Sequence, residues 1–164
     1  MVTGAATVAA RVQDPELPLL TLADLGILRG VEEHDGRVVV TITPTYSGCP
    51  ALRTIRDDLG SALQTAGYRD VEVRVALTPA WTTDWITPAG RDKLAAAGIS
   101  PPGPVPRRAS GPVPLTLDPV RPEVRCPHCG HPDTEQLSPF GATACRSLHR
   151  CPACREPFEH VKEI

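Results

Sequence analysis

Between residues 101 and 122 the chain reads PPGPVPRRASGPVPLTLDPVRP, with eight prolines. Each proline removes a backbone donor and fixes φ, so this stretch makes neither a helix nor a central strand. It reads as a semi-rigid, extended linker. It divides the 164 residues into a first domain, 1–100, and a second module, 123–164. The first is long enough for a modest hydrophobic core. The second, at about forty residues, is too short to bury one and needs a staple.

The second module carries that staple in its sequence. CPHCG (126–130) and CPACR (151–155) are two knuckles with 21 residues between the inner cysteines. A C-x-x-C turn curls its backbone so that both sulfurs face one point, and two such turns supply the four thiolates of a tetrahedral zinc site. Cys126, Cys129, Cys151 and Cys154 are the expected ligands of a structural zinc in a zinc ribbon. A mononuclear iron on the same ligands is the rival, and disulfides are a lesser one. Cys145 is left over, either a packing residue or an exposed thiol. His128 and His131 lie in or beside a knuckle and read as surface residues rather than ligands.

In the first domain helical and extended signals alternate. Residues 3–12 read as a short helix ended by Asp14-Pro15-Glu16, because a residue before proline avoids the helical region. Thr21 is a candidate cap for the turn 22–26. Residues 27–33 and 37–43 (RVVVTIT) read as two strands joined by an Asp-Gly hairpin turn at Asp35-Gly36. Leu52, Ile55, Leu59, Leu63 and Ala66 form one apolar stripe at helical spacing, predicting a helix from Pro50 to Ala66 with Gly67 as its stop. Residues 71–77 (VEVRVAL) alternate as a half-buried strand, and 92–97 read as a last helix closed by Gly98. The fold class is α+β: a small mixed sheet backed by helices, followed by a zinc-ribbon module.

One cysteine stands outside the second module. If Pro50 is the first helical residue, Cys49 occupies the N-cap, where unpaired N–H groups and the helix dipole favour a thiolate. Such a thiolate coordinates iron, accepts sulfur or attacks a carbonyl. The alternative is a small apolar residue packed at a strand–helix junction. His34 is the sole histidine of this domain and is predicted on a hairpin, which argues against a Cys–His hydrolase. In DPELP, Asp14 and Glu16 either ligate a hard metal or solvate a turn. Trp81 and Trp85, four apart, either cover a site or close an aliphatic core in a chain with only 4% aromatics.

Composition narrows the partners. Lys and Arg number 17 against 19 Asp and Glu, with no basic stripe, so nothing draws the chain to nucleic acid. No apolar run is long enough to span a membrane, and the first residues lack the basic and apolar regions of a signal peptide. A cytoplasmic protein is the expectation.

DPE at 14–16, the hairpin strands, TPTYSGCP at 43–50, the helix after it and VEVRVAL together resemble the iron–sulfur cluster assembly domain family. With WTTDWIT, GRDKLAAAGISPP, CPHCG, SPFGATAC, CPAC and EPF added, nearly the whole chain resembles the PaaD (also called PaaJ) family of bacterial phenylacetyl-CoA oxygenase, or epoxidase, systems. The resemblance implies an accessory protein rather than an enzyme. It would assist assembly or repair of the iron or iron–sulfur centre of an oxygenase or reductase subunit in aerobic phenylacetate degradation. It also implies that Cys49 is the family's reactive cysteine and that Asp14 and Glu16 are its acidic motif, handling iron or a cluster transiently. One thiolate does not hold a cluster, so the remaining ligands would come from a second protomer in a homodimer, the carboxylates or a client. The alternative function is a zinc-ribbon adaptor that links oxygenase subunits without metal transfer.

Overall fold

A computed structural model describes residues 4–105 and 123–164. The larger part of the expected linker, 106–122, lies outside the described residues. The chain divides into two compact units, Met1–Leu94 and Ala95–Ile164.

The first unit runs α1 (Ala5–Ala9), β1 (Leu28–His34), β2 (Arg37–Ile42), α2 (Leu52–Thr65), β3 (Asp70–Val75), a 3-10 turn (Thr83–Trp85) and α3 (Pro88–Ala96), whose last turn crosses the division. The strands form one mixed sheet in the order β1-β2-β3, with β1 antiparallel to β2 and β2 parallel to β3. The Asp-Gly signal folds as read. Asp35 and Gly36 take φ of 49° and 80°, a pair of left-handed residues that turns β1 tightly into β2.

The parallel register sets Val38 beside Val71, Val40 beside Val73 and Ile42 beside Val75 on the face toward the helices. Val38, Val40 and Ile42 are fully buried there, together with Ile55, Leu59 and Leu63 from the predicted stripe of α2. Leu20, Leu22 and Leu94 complete the core. The helix stops as the sequence says. The Gly67 N–H donates to the Gln64 carbonyl at 3.0 Å and the Tyr68 N–H to the Leu63 carbonyl at 3.1 Å, with Gly67 at φ 103°. That is the paired C-terminal motif of a glycine-stopped helix, and the buried Tyr68 adds its apolar contact.

The second unit is a three-stranded antiparallel sheet, β4 (Glu135–Ser138), β5 (Arg146–Arg150) and β6 (Pro157–Val161). The chain just after α3 joins it. The Ser100 N–H donates to the Glu159 carbonyl at 2.8 Å, and the Val161 N–H donates to the Ser100 carbonyl at 3.0 Å. The Glu163 carboxylate then accepts the Gly103 N–H at 2.9 Å. Backbone pairing to β6 accompanies the grouping of residues from Ala95 onward with this unit, whereas the proline-rich stretch set the expected boundary after residue 100.

Leu59 is fully buried beneath the sheet. Leu59→Ala is expected to lower unfolding free energy by about 2–5 kcal/mol, read as a fall in the urea midpoint at unchanged slope.

Candidate metal centre and the Cys49 loop

Each knuckle of the ribbon closes by the same two backbone bonds. The Cys126 N–H donates to the His131 carbonyl at 3.0 Å and the Gly130 N–H to the Cys126 carbonyl at 2.9 Å. In the second knuckle the Cys151 N–H donates to Glu156 at 3.1 Å and the Arg155 N–H to Cys151 at 2.9 Å. The residue after each second cysteine is left-handed: Gly130 at φ 75° and Arg155 at φ 66°. Glycine takes that conformation without cost, whereas arginine loses about 1 kcal/mol to the clash of its Cβ.

The two turns bring four sulfurs together, all within 4.8 Å of one another. Cys126 Sγ lies 3.7 Å from Cys154 Sγ, and Cys129 Sγ lies 3.5 Å from Cys151 Sγ. A regular tetrahedron of sulfurs about 2.3 Å from zinc has edges of about 3.8 Å, so this donor set fits a four-coordinate structural metal. Val124 and Phe158 are buried against Cys126 and Cys151, and this small cluster is the apolar core of the unit.

The sulfurs are electrostatically unequal. Backbone N–H groups of Cys154 and then Ala153 point at the Cys151 sulfur and hold its thiol at about 6. Cys154 receives the Glu156 N–H, but burial and the neighbouring sulfurs outweigh it and push the thiol up to about 12. Cys129 receives the His131 N–H and is likewise raised, by Cys151 and by burial. A cation at the centre removes this conflict, because it stabilises every thiolate at once.

Other residues of the ribbon take structural roles. His131 Nδ1 bonds the Asp133 carbonyl at 2.8 Å, and the His128 ring meets Phe158 edge-on. The Cys145 sulfur sits 3.0 Å from Thr143 Oγ1, outside the four-sulfur group. Sequence reading missed the polar interior of this sheet. Arg146, Ser147, His149 and His160 are all buried, Arg146 pairs with Glu159, and His149 bonds Ser147 at 3.0 Å.

In the first unit Cys49 is half-buried on the turn that leads from β2 into α2. The expected N-cap geometry is corrected here. Regular helix begins at Leu52 with Ala51 as its N-cap, and no side chain caps it. A tighter turn precedes it, in which the Leu52 N–H donates to the Cys49 carbonyl at 3.2 Å and the Cys49 N–H to the Tyr46 carbonyl at 3.2 Å. Pro50 and Ala51 therefore belong to this turn, and Cys49 stands before the helix rather than at its cap.

Asp14 is buried, and its Oδ1 accepts the N–H of Glu16 at 2.9 Å and of Leu17 at 2.8 Å. It shapes the DPEL turn, one of the two roles its sequence allows. Glu16 is half-buried. Among the described residues Cys49, Asp14 and Glu16 do not converge as the four ribbon cysteines do. Trp81 is buried with its indole N–H on the Leu25 carbonyl at 2.9 Å, and Trp85 lies under the Arg29 guanidinium at 3.6 Å. The tryptophans thus pack the domain.

Beside Cys49 a cavity of about 550 Å³ opens along the flank of α2, lined by Arg53, Arg56, Asp57, Gly60, Val71 and Val73 among others. Gly60 sits in the middle of the unbroken α2, a residue of low helix propensity in an otherwise helix-favouring stretch.

An Escherichia coli K12 protein, provisionally named as the D component of a 1,2-phenylacetyl-CoA epoxidase, is 44% identical over 94% of this chain and 88% of its own length. The chain belongs to the PaaD family. Residues 110–162 match the PaaD zinc beta ribbon domain and residues 8–75 the iron–sulfur cluster assembly protein family. A Bacillus subtilis Fe-S protein maturation auxiliary factor, YitW, is 36% identical over 45% of this chain and 74% of its own. The crystal structure of a DUF59 domain from Bacillus anthracis superposes with a TM-score of 0.52 at 27% identity, covering 55% of this chain and 87% of that one. The ribbon is thus the zinc ribbon of the PaaD family, and the mixed sheet is the iron–sulfur assembly fold. No helix among the described residues is long and apolar enough to cross a membrane.

Two outcomes follow from the ribbon geometry. Because Cys154 and Cys129 hold protons that a metal displaces, zinc affinity of the apo chain falls as pH falls, by at least about a hundredfold per unit for two protons. Competition with a chromophoric chelator between about pH 8 and 6.5 reads this slope. Arg155→Gly relieves the left-handed strain, and is expected to add about 0.5–1 kcal/mol to the zinc-loaded chain, seen as a higher urea midpoint.

Proposed function

We propose that this protein is a cytoplasmic, non-catalytic maturation factor of a phenylacetyl-CoA oxygenase system, assisting assembly or repair of the iron or iron–sulfur centre of an oxygenase or reductase subunit. The observation that carries the reading is the union, in one chain, of an iron–sulfur assembly fold with a half-buried cysteine at the mouth of an open groove and a ribbon of the PaaD type. The ribbon's Cys126, Cys129, Cys151 and Cys154 hold zinc as a structural element that docks on the oxygenase assembly. Cys49 supplies a single thiolate to iron or a cluster in transit. Asp14 and Glu16 act with it only if another ligand brings the metal to them, since the three do not converge by themselves.

A second reading has an observation of its own. The four-sulfur group is the one converging set of metal-binding side chains among the described residues, which favours an adaptor that joins oxygenase subunits without metal chemistry. The two readings part at Cys49. Oxygenase and reductase co-expressed with Cys49→Ser are expected to lose more than half of their iron and a matching share of turnover, with zinc per chain unchanged. Full metallation and activity would establish the adaptor instead.

A further inference from the structure

The groove beside Cys49 has a shape and chemistry that the core does not explain. Its wall is the flank of α2 from Leu52 to Gly60, and its floor is Val71 and Val73 of β3. These valines share the face of Val38 and Val40, yet they remain half-exposed while their neighbours are sealed. On the same face Val75 is 36% exposed, and Leu77, just past the end of β3, is 55% exposed. An apolar strip therefore runs out from the groove along β3.

The strip lies on an edge. In the order β1-β2-β3, β3 has β2 on one side and no strand on the other among the described residues. An edge strand presents unpaired N–H and C=O groups that take up a further extended segment. Gly60 widens the approach. It stands inside α2, where glycine costs helix stability relative to alanine, and a Cβ built on it meets nothing within 4 Å. Packing therefore does not demand a glycine at this position, but an open groove uses one. The charge at the rim is set by Arg53 and Arg56, with Asp57 the one opposing group of the lining. Arg53 is 91% exposed and 3.9 Å from Asp57, a weak surface pair that leaves its guanidinium available.

We infer that this groove is a docking site for an extended, acidic segment of a partner protein, added to the edge of β3. On its face toward α2 the segment sets a small apolar side chain over Val71 and Val73 beside Gly60, and carboxylates two residues away on that same face pair with Arg53 and Arg56. Naming the partner as a metal-receiving client rests on the proposed maturation role, whereas the groove's binding chemistry does not.

The test uses the full-length, zinc-loaded chain and an acetylated, amidated Glu-Thr-Val-Thr-Glu peptide, whose Glu and Val side chains share one face when extended, titrated without iron. Saturable amide shifts confined to β3 and the first half of α2 are expected. Arg53→Glu/Arg56→Glu should weaken binding at least about tenfold, from loss of charge-assisted bonds. Gly60→Leu should fill the groove and abolish binding while the chain melts higher, which separates blockage from misfolding. No saturable binding, binding unmoved by both variants, or equal binding of Lys-Thr-Val-Thr-Lys would overturn the inference. So would a stable dimer in sedimentation that Val73→Lys dissociates, because a second copy would then own the edge. A Cys49→Ser chain that binds the peptide normally but no longer supports metallation supports the groove and the maturation role separately. A Gly60→Leu chain that loses the peptide yet metallates the oxygenase and reductase in full overturns the groove as the client's dock.

Discussion

Four thiolates converging on one point substitute for a hydrophobic core in the second unit. A sheet of three short strands with a handful of buried apolar residues does not offset the entropy of ordering its chain. The sulfurs of Cys126, Cys129, Cys151 and Cys154 close that deficit through a metal, and the two knuckles are folded so that their backbone N–H groups already face the sulfurs. The polar interior of β5 and β6 is tolerable for the same reason. Arg146 pairs with Glu159 and His149 bonds Ser147 inside a sheet that a purely apolar core of this size would not stabilise.

The parts of the structure that were legible in the sequence are those set by local chemistry. Asp35-Gly36 dictates a left-handed two-residue turn, Gly67 dictates a helix stop, and C-P-x-C dictates a knuckle, whatever surrounds them. The α2 stripe was legible because its periodicity reports one buried face. What escaped was decided by tertiary arrangement. The β3 valines read as ordinary core positions in a strand with clean alternation, and only the lateral cover left by α2 makes Val71 and Val73 the floor of a groove. Likewise Pro50 is compatible with a first helical position, and the tight turn that displaces Cys49 from the cap depends on how the Tyr46–Leu52 loop closes. Ser100 joins β6 through backbone bonds that no side-chain pattern announces.

The acidic motif shows how local backbone geometry commits a carboxylate. Asp14 Oδ1 accepts two consecutive backbone N–H groups, so its carboxylate is engaged in shaping the DPEL turn. A cation that draws this oxygen away competes with both of those bonds. Recruitment of Asp14 by a metal therefore requires the incoming group to bring most of its own ligands.

The two cysteine environments make a physical contrast that bears on transfer. A metal held by four thiolates in a closed tetrahedron leaves only by breaking several bonds together, and its ligands are fixed by paired knuckles. Under the proposed role, a metal held by Cys49 would have one protein bond to break, and the open groove beside that sulfur would leave room for further ligands from another molecule. Exchange by stepwise ligand substitution is fast where coordination is incomplete and slow where it is saturated. If the proposed maturation role holds, a chain that retains one metal and relinquishes another would be served by placing the sulfurs as they are placed here: four together on the ribbon, and one on a loop at the rim of a groove.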